Sequence, residues 1–144
     1  MSGPALKSRS SHRAIHEEAS EEARALTGLL RDLTETNENQ ARLLLTAYTL
    51  VEHWETNILA HAEAEEEDLY VTVVKENPKL RDKVLELTIE HELLRNLIDG
   101  IKDILEVHGV NEDVLTRFDT LLLVNEIHNF KEENQLLIKR SDSR

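Results

Sequence analysis

His61-Ala62-Glu63-Ala64-Glu65-Glu66-Glu67-Asp68-Leu69-Tyr70 puts an imidazole and a carboxylate four residues apart in a run with no helix breaker, so both groups share one helical face. The arrangement returns as His128-Asn129-Phe130-Lys131-Glu132-Glu133-Asn134-Gln135-Leu136-Leu137, and both segments fit His-x-x-x-Glu-Glu-x-x-Leu. Two long helices with polar groups on a face that is otherwise apolar call for a bundle that satisfies those groups inside its core.

Working outward, the breakers are few. Beyond the first residues they are Gly28, Gly100, Gly109 and one proline, Pro78. Abundant Ala, Leu, Glu, Lys and Arg then predict an all-α domain. The polar cluster at residues 34–39 marks a first turn, with Asn37 and Gln40 at capping-box spacing. Asn77-Pro78 reads as an N-cap and first helical position, and His108-Gly109 as a stop before an Asn111 cap. Four helices follow, at roughly 12–35, 38–75, 78–108 and 112–139, between tails at 1–11 and 141–144. Short turns make neighbours antiparallel, giving an up-down-up-down four-helix bundle.

Each helix carries a stripe at alternating three and four spacing. The first runs His16, Ala19, Ala23, Leu26, Leu30, Leu33; the second Leu44, Ala47, Val51, Trp54, Ile58, His61, Glu65, Leu69. The third runs Leu80, Val84, Leu87, His91, Leu94, Ile98, Ile101, Leu105, and the fourth Phe118, Leu121, Asn125, His128, Glu132. Counting from the turns, His16 and His61 lie 21 and 24 residues from the first, His61 and His91 lie 16 and 14 from the second, and His91 and His128 lie 19 and 18 from the third. At about 1.5 Å per residue the mismatches are less than one helical turn, so the four imidazoles fall in one layer. Glu65 and Glu132 lie one turn along from their own histidines.

In a chain this acidic a single His-x-x-x-Glu is weak evidence, and His108-x-x-x-Glu112 straddles a turn. The signal is the coincidence of stripe, level and repetition. Burying unpaired imidazoles and carboxylates costs several kcal/mol unless something satisfies them. A pair of metal ions does so, and the nitrogen and oxygen donors suit iron or manganese. The expected ligands are His16, His61, Glu65, His91, His128 and Glu132. His12, one turn before His16, offers an additional ligand, but a frayed helix start favours solvent exposure there, and His53 is expected to lie on the surface or in a second layer. Glu66 and its acidic neighbours are read as a solvated face, and Glu133 as an alternative to Glu132.

Composition narrows the partners. With 144 residues, 29 acidic and 17 basic, the net charge is -12 and the pI about 5.0, so nucleic acid and anionic membranes are repelled. The absence of cysteine excludes disulfides, thiolate zinc sites and iron-sulfur clusters. The polar stretch Met1 to Ser11 lacks the apolar core of a signal peptide, and no run of 18 apolar residues follows, so a soluble, cytoplasmic protein is expected.

The four-helix pattern, with a histidine on helix 1 (His16), His61-x-x-x-Glu65 on helix 2, His91 on helix 3 and His128-x-x-x-Glu132 on helix 4, resembles the hemerythrin-like or HHE cation-binding domains over nearly the whole chain. The resemblance implies two iron ions with a bridging oxo or hydroxo group, Glu65 and Glu132 as bridging carboxylates and histidines as terminal ligands. Oxygen-carrying hemerythrins have His-x-x-x-His on helix 3 and His-x-x-x-x-Asp on helix 4, where this chain has Arg95 and Glu133. Fewer histidines imply open coordination positions and favour sensing, redox chemistry or iron handling over oxygen carriage. The leading expectation is a di-iron protein that binds O2, peroxide or NO in oxidative or nitrosative stress or iron sensing. Alternatives are a peroxide- or NO-consuming or iron-delivering enzyme, a haem-binding bundle, and a metal-free helical interaction module. No catalytic residue and no oligomeric state is assigned.

Overall fold

The computed structural model describes residues 9–36 and 39–137, and these form four helices and no strand. Helix α1 is Arg9–Glu35. Helix α2 (residues 40–76) is one continuous rod of five segments: α-helical Gln40–His53, π-helical Trp54–Leu59, α-helical Ala60–Ala64, π-helical Glu65–Leu69 and α-helical Tyr70–Glu76. A 3-10 turn, Pro78–Leu80, leads into helix α3, Arg81–His108. Helix α4 (residues 112–137) joins α-helical Glu112–Lys131 to π-helical Glu132–Leu137. Each helix packs on its sequence neighbours, and α4 closes on α1, as an antiparallel up-down-up-down bundle requires.

Side-chain caps set the turns. Asn39, two residues beyond the expected cap, accepts a hydrogen bond from the Arg42 amide at 3.0 Å. Asn37, half of the expected capping box, lies outside the described residues. Asn77 accepts from the Lys79 amide and Asn111 from the Val114 amide, each satisfying a donor the helix cannot. Gly109 ends α3 with φ 72°, the left-handed region that favours glycine. A Cβ there would stand 2.6 Å from Gln40 Oε1, which accepts from the Val110 amide and ties the start of α2 to this turn. Of the tails expected at 1–11 and 141–144, residues 9–11 are helical and the rest lies outside the described residues.

The expected stripes are largely buried, with one shift: Leu43 and Leu50 enter the core while Leu44 is only partly buried. The apolar core is in two pieces. The larger runs from the α1–α2 and α3–α4 turns to Ile58 and Leu94. The smaller, at the other end, holds Leu69, Tyr70, Val73, Leu80, Leu87, Leu136 and Leu137. Between them lies a polar layer. No helix among the described residues is long and apolar enough to cross a membrane.

Candidate metal centre

The polar layer contains all six residues picked from the sequence and one more. His16, His61, Glu65, His91, His128 and Glu132 all point inward, and His12, expected in solvent, is fully buried beside them. Helix α1 starts at Arg9, so His12 is held a full turn before His16 on the same face rather than at a frayed end.

Donor atoms gather in two groups, each within 4.8 Å: His12, His16, His61 and Glu65, then Glu65, His91, His128 and Glu132. Glu65 belongs to both. Glu132 also reaches both, with Oε1 2.5 Å from His12 Nε2 and 3.3 Å from His16 Nε2, and Oε2 3.6 Å from His128 Nε2. Such groups could hold metal ions. With His12, five imidazoles rather than the four expected surround the two carboxylates.

Both carboxylates stand at the first residue of a π segment. A π turn takes one residue more than an α turn, so the inward face slips by a residue. Hence consecutive residues Glu132 and Glu133, then Leu136 and Leu137, are buried in pairs. The slip carries Glu133 inward, yet its Oε2 meets His16 Nδ1 at 2.7 Å, outside the donor groups. Glu132 occupies the centre.

Carboxylates behind the imidazoles fix their orientation. His91 Nδ1 donates to Glu66 Oε2 at 2.6 Å and His128 Nδ1 to Glu90 Oε1 at 2.8 Å. Glu66 is therefore not part of a solvated face. It also accepts from Arg95 Nη2 at 2.9 Å, at the position where the oxygen carriers have a histidine. Lys131 donates to both Glu86 and Glu90. With each Nδ1 carrying its hydrogen, the Nε2 lone pairs of His91 and His128 face one another 3.0 Å apart. Two facing lone pairs repel unless a proton or a cation lies at them, and metal-ligating histidines are oriented by such outer carboxylates.

Other buried atoms lack a hydrogen-bond partner altogether. His61 Nε2 is 3.2 Å from Glu65 Oε2, and Glu132 Oε1 is close to His12, yet neither makes a hydrogen bond of acceptable geometry. Donors that lie side by side without pointing at each other fit a shared cation, so the residues present fit a dimetal group.

Without metal, protons take that place. Burial opposes charging His12, but the close approach of Glu132, the hydrogen bond to Glu65 and the charges of both outweigh it and push its pKa up to about 9. His128 also rises to about 9, against burial, through Glu132 and Glu90. His16 rises as well, by contact with Glu132, Glu133 and Glu65. Burial would raise Glu65, but His12, His16, His61 and His91 hold it well below the usual carboxylate range. Glu132 is likewise lowered, against burial and the charge of Glu65, by His12, His128 and His16. Tyr70 donates its hydroxyl proton to Glu132 Oε2 and stacks on His91 with centroids 5.7 Å apart; burial and the carboxylates keep that proton in place by raising its pKa.

His53 stays apart. Its Nε2 donates to the Ala19 carbonyl and its Nδ1 accepts from Asn57 Nδ2, both at 2.8 Å, so it cross-links α1 and α2 from a buried position. His108 is exposed at the end of α3. The sequence did carry a signal for His12, its spacing of four before His16. Glu66 and Glu90 carried none, since nothing separates them from the other surface acids.

A cavity of about 20 Å³ abuts the polar layer on the side of the larger apolar cluster, lined by His16, His61, Glu65, His91 and His128 together with Ile58, Leu94 and Asn125. A family model, the Hemerythrin HHE cation binding domain, matches residues 14–138. No curated protein and no solved structure matches the chain.

Proposed function

Because the chain belongs to the hemerythrin HHE cation-binding family, we propose that it is a non-haem di-iron protein that binds O2, peroxide or NO in an oxidative or nitrosative stress or iron-sensing role. Glu65 and Glu132 would be shared by the two ions, with His12, His16 and His61 available to hold the first and His91 and His128 the second. The observation that carries this reading is the pair of donor groups sharing Glu65, with the facing Nε2 atoms of His91 and His128 and the orphaned His61 Nε2 and Glu132 Oε1 at their centre.

Counting both carboxylates in each group, the first would supply five protein donors and the second four. The second group therefore offers the fewer donors, and the small cavity beside the layer is lined by histidines of both groups, His16 and His61 as well as His91 and His128, together with Glu65. Two irons supply one-electron changes and open positions for a small ligand. The chain's own residues orient the imidazoles through Glu66, Glu90 and Glu133, keep a proton on Tyr70 against Glu132, and exclude bulk water with apolar clusters on either side.

Elemental analysis with anaerobic optical spectroscopy tests the proposal. The expected outcome is two irons per chain and an oxo-to-iron charge-transfer band when the diferrous protein meets oxygen. Two irons without any spectral change would sink the ligand-binding role, and no iron would sink the metal assignment.

A further inference from the structure

Asn125 occupies an inward stripe position of α4, one turn from His128 toward the larger apolar cluster, where Leu121 and Phe118 continue the stripe. An amide in such a place needs a polar partner. Only 5 % of Asn125 is exposed. Among the described residues its hydrogen bond is a long one, Nδ2 to Ser20 Oγ at 3.3 Å. An amide nitrogen has two hydrogens, and Ser20 takes one of them.

The other side of Asn125 lines the 20 Å³ cavity. By the same measure a water needs on the order of 10–15 Å³, so the space takes one water or a ligand of two to three atoms. Its remaining walls are the imidazole and carboxylate donors, apolar side chains such as Ile15, Ile58 and Leu94, and the amides of Asn129 and of Asn57, whose Nδ2 already donates to His53. An apolar diatomic in this space would offer no acceptor to the amide's second hydrogen. A ligand with lone pairs to accept a hydrogen bond would satisfy it.

We propose that Asn125 is a ligand-selecting residue: its amide nitrogen donates to a two- or three-atom hydrogen-bond-accepting ligand in this cavity, so that the centre takes peroxide or a small anion in preference to a weakly accepting diatomic. Asn129 extends the polar surface outward. It lines both this cavity and a solvent-open groove of about 320 Å³ between α1 and α4, giving a hydrogen-bonding ligand a polar way in. The inference rests on the dimetal reading above.

Azide, a linear three-atom anion, is the probe. Iron-loaded, oxidised protein is titrated with sodium azide and the charge-transfer absorbance gives Kd; diferrous protein is titrated with NO in parallel. Asn125→Leu keeps the side-chain size and removes the donor. Azide binding is expected to weaken about 10- to 100-fold, the range for one hydrogen bond to a charged acceptor, with NO binding unchanged. Equal azide affinity in the two proteins, or an equal loss for azide and NO, overturns the proposal. Should Asn125→Leu not retain iron, Asn125→Asp preserves the shape without the amide donor and is expected to weaken azide at least as much. Failure of the unaltered chain to take up two irons would instead remove the premise, and elemental analysis of the same samples separates that outcome.

Discussion

At the scale of single residues, the centre balances buried charge by exchange. Glu65 and Glu132 are held ionised, and either imidazolium protons or metal ions must neutralise them. His12 and His128 have pKa values raised from 6.5 to about 9 in the metal-free chain. A raised value stabilises the fold fully below the unfolded pKa and loses that contribution as pH climbs through the folded one. The metal-free melting temperature should therefore fall between pH 6.5 and 9, reflecting at most roughly 3 kcal/mol for each imidazole. Iron affinity should rise across the same window, with protons released on binding. Calorimetry with chelator present and a pH-indicator titration check the two halves; a flat melting profile would show that those protons are absent. His12 itself is testable directly. His12→Ala should lower iron from two toward one per chain and weaken uptake at least about 10-fold, since even outer residues of such centres are worth 10- to 100-fold. Unchanged iron content would return His12 to a purely structural place.

At the scale of elements, the bundle was legible because its period is nearly helical throughout. Leu87, His91, Leu94, Ile98, Ile101 and Leu105 lie where spacings of three and four put them, and α3 is a regular α-helix. Legibility failed where the period changes. No residue type announces a π turn, and the turns at Trp54, Glu65 and Glu132 arise when tertiary contacts outweigh local preference. His61 and Glu65 were found because their spacing falls before the slip. Glu133 could be placed only as an alternative to Glu132, since its inward turn depends on it. Helix length was the other gap: an α1 starting at residue 12 leaves His12 in solvent, and one starting at Arg9 buries it. The π segments also make a prediction. Inserting one alanine after exposed Glu67 would turn the helix beyond it by about 100°, which would swing Tyr70 and Val73 away from the smaller cluster. Far-ultraviolet circular dichroism should retain helix while metal content falls sharply. Normal metal loading in the insertion would show that the register beyond Glu65 is dispensable.

At the scale of the whole molecule, metal and fold are linked. Chelation should lower the melting temperature of the iron-loaded chain by several degrees, because a ligand at about 100 times its Kd contributes about 2.7 kcal/mol. The loss need not be uniform along the bundle. Among the described residues the smaller apolar cluster has seven buried side chains, and it is joined to the larger one across a layer whose cohesion is electrostatic. A patch that size supports little independent folding, so without ions the end built from Leu69, Leu80 and Leu137 should open separately from the rest. Amide hydrogen exchange on the metal-free chain should show fast exchange around residues 69–87 and 132–137, with slow exchange kept around Leu50, Ile98 and Phe118. Uniform exchange at both ends would mean that the layer holds without metal. The divided core would thus make cooperativity itself depend on the metal: a loaded chain is expected to unfold as one unit, and a depleted chain to open first at one end, where limited proteolysis would cut it.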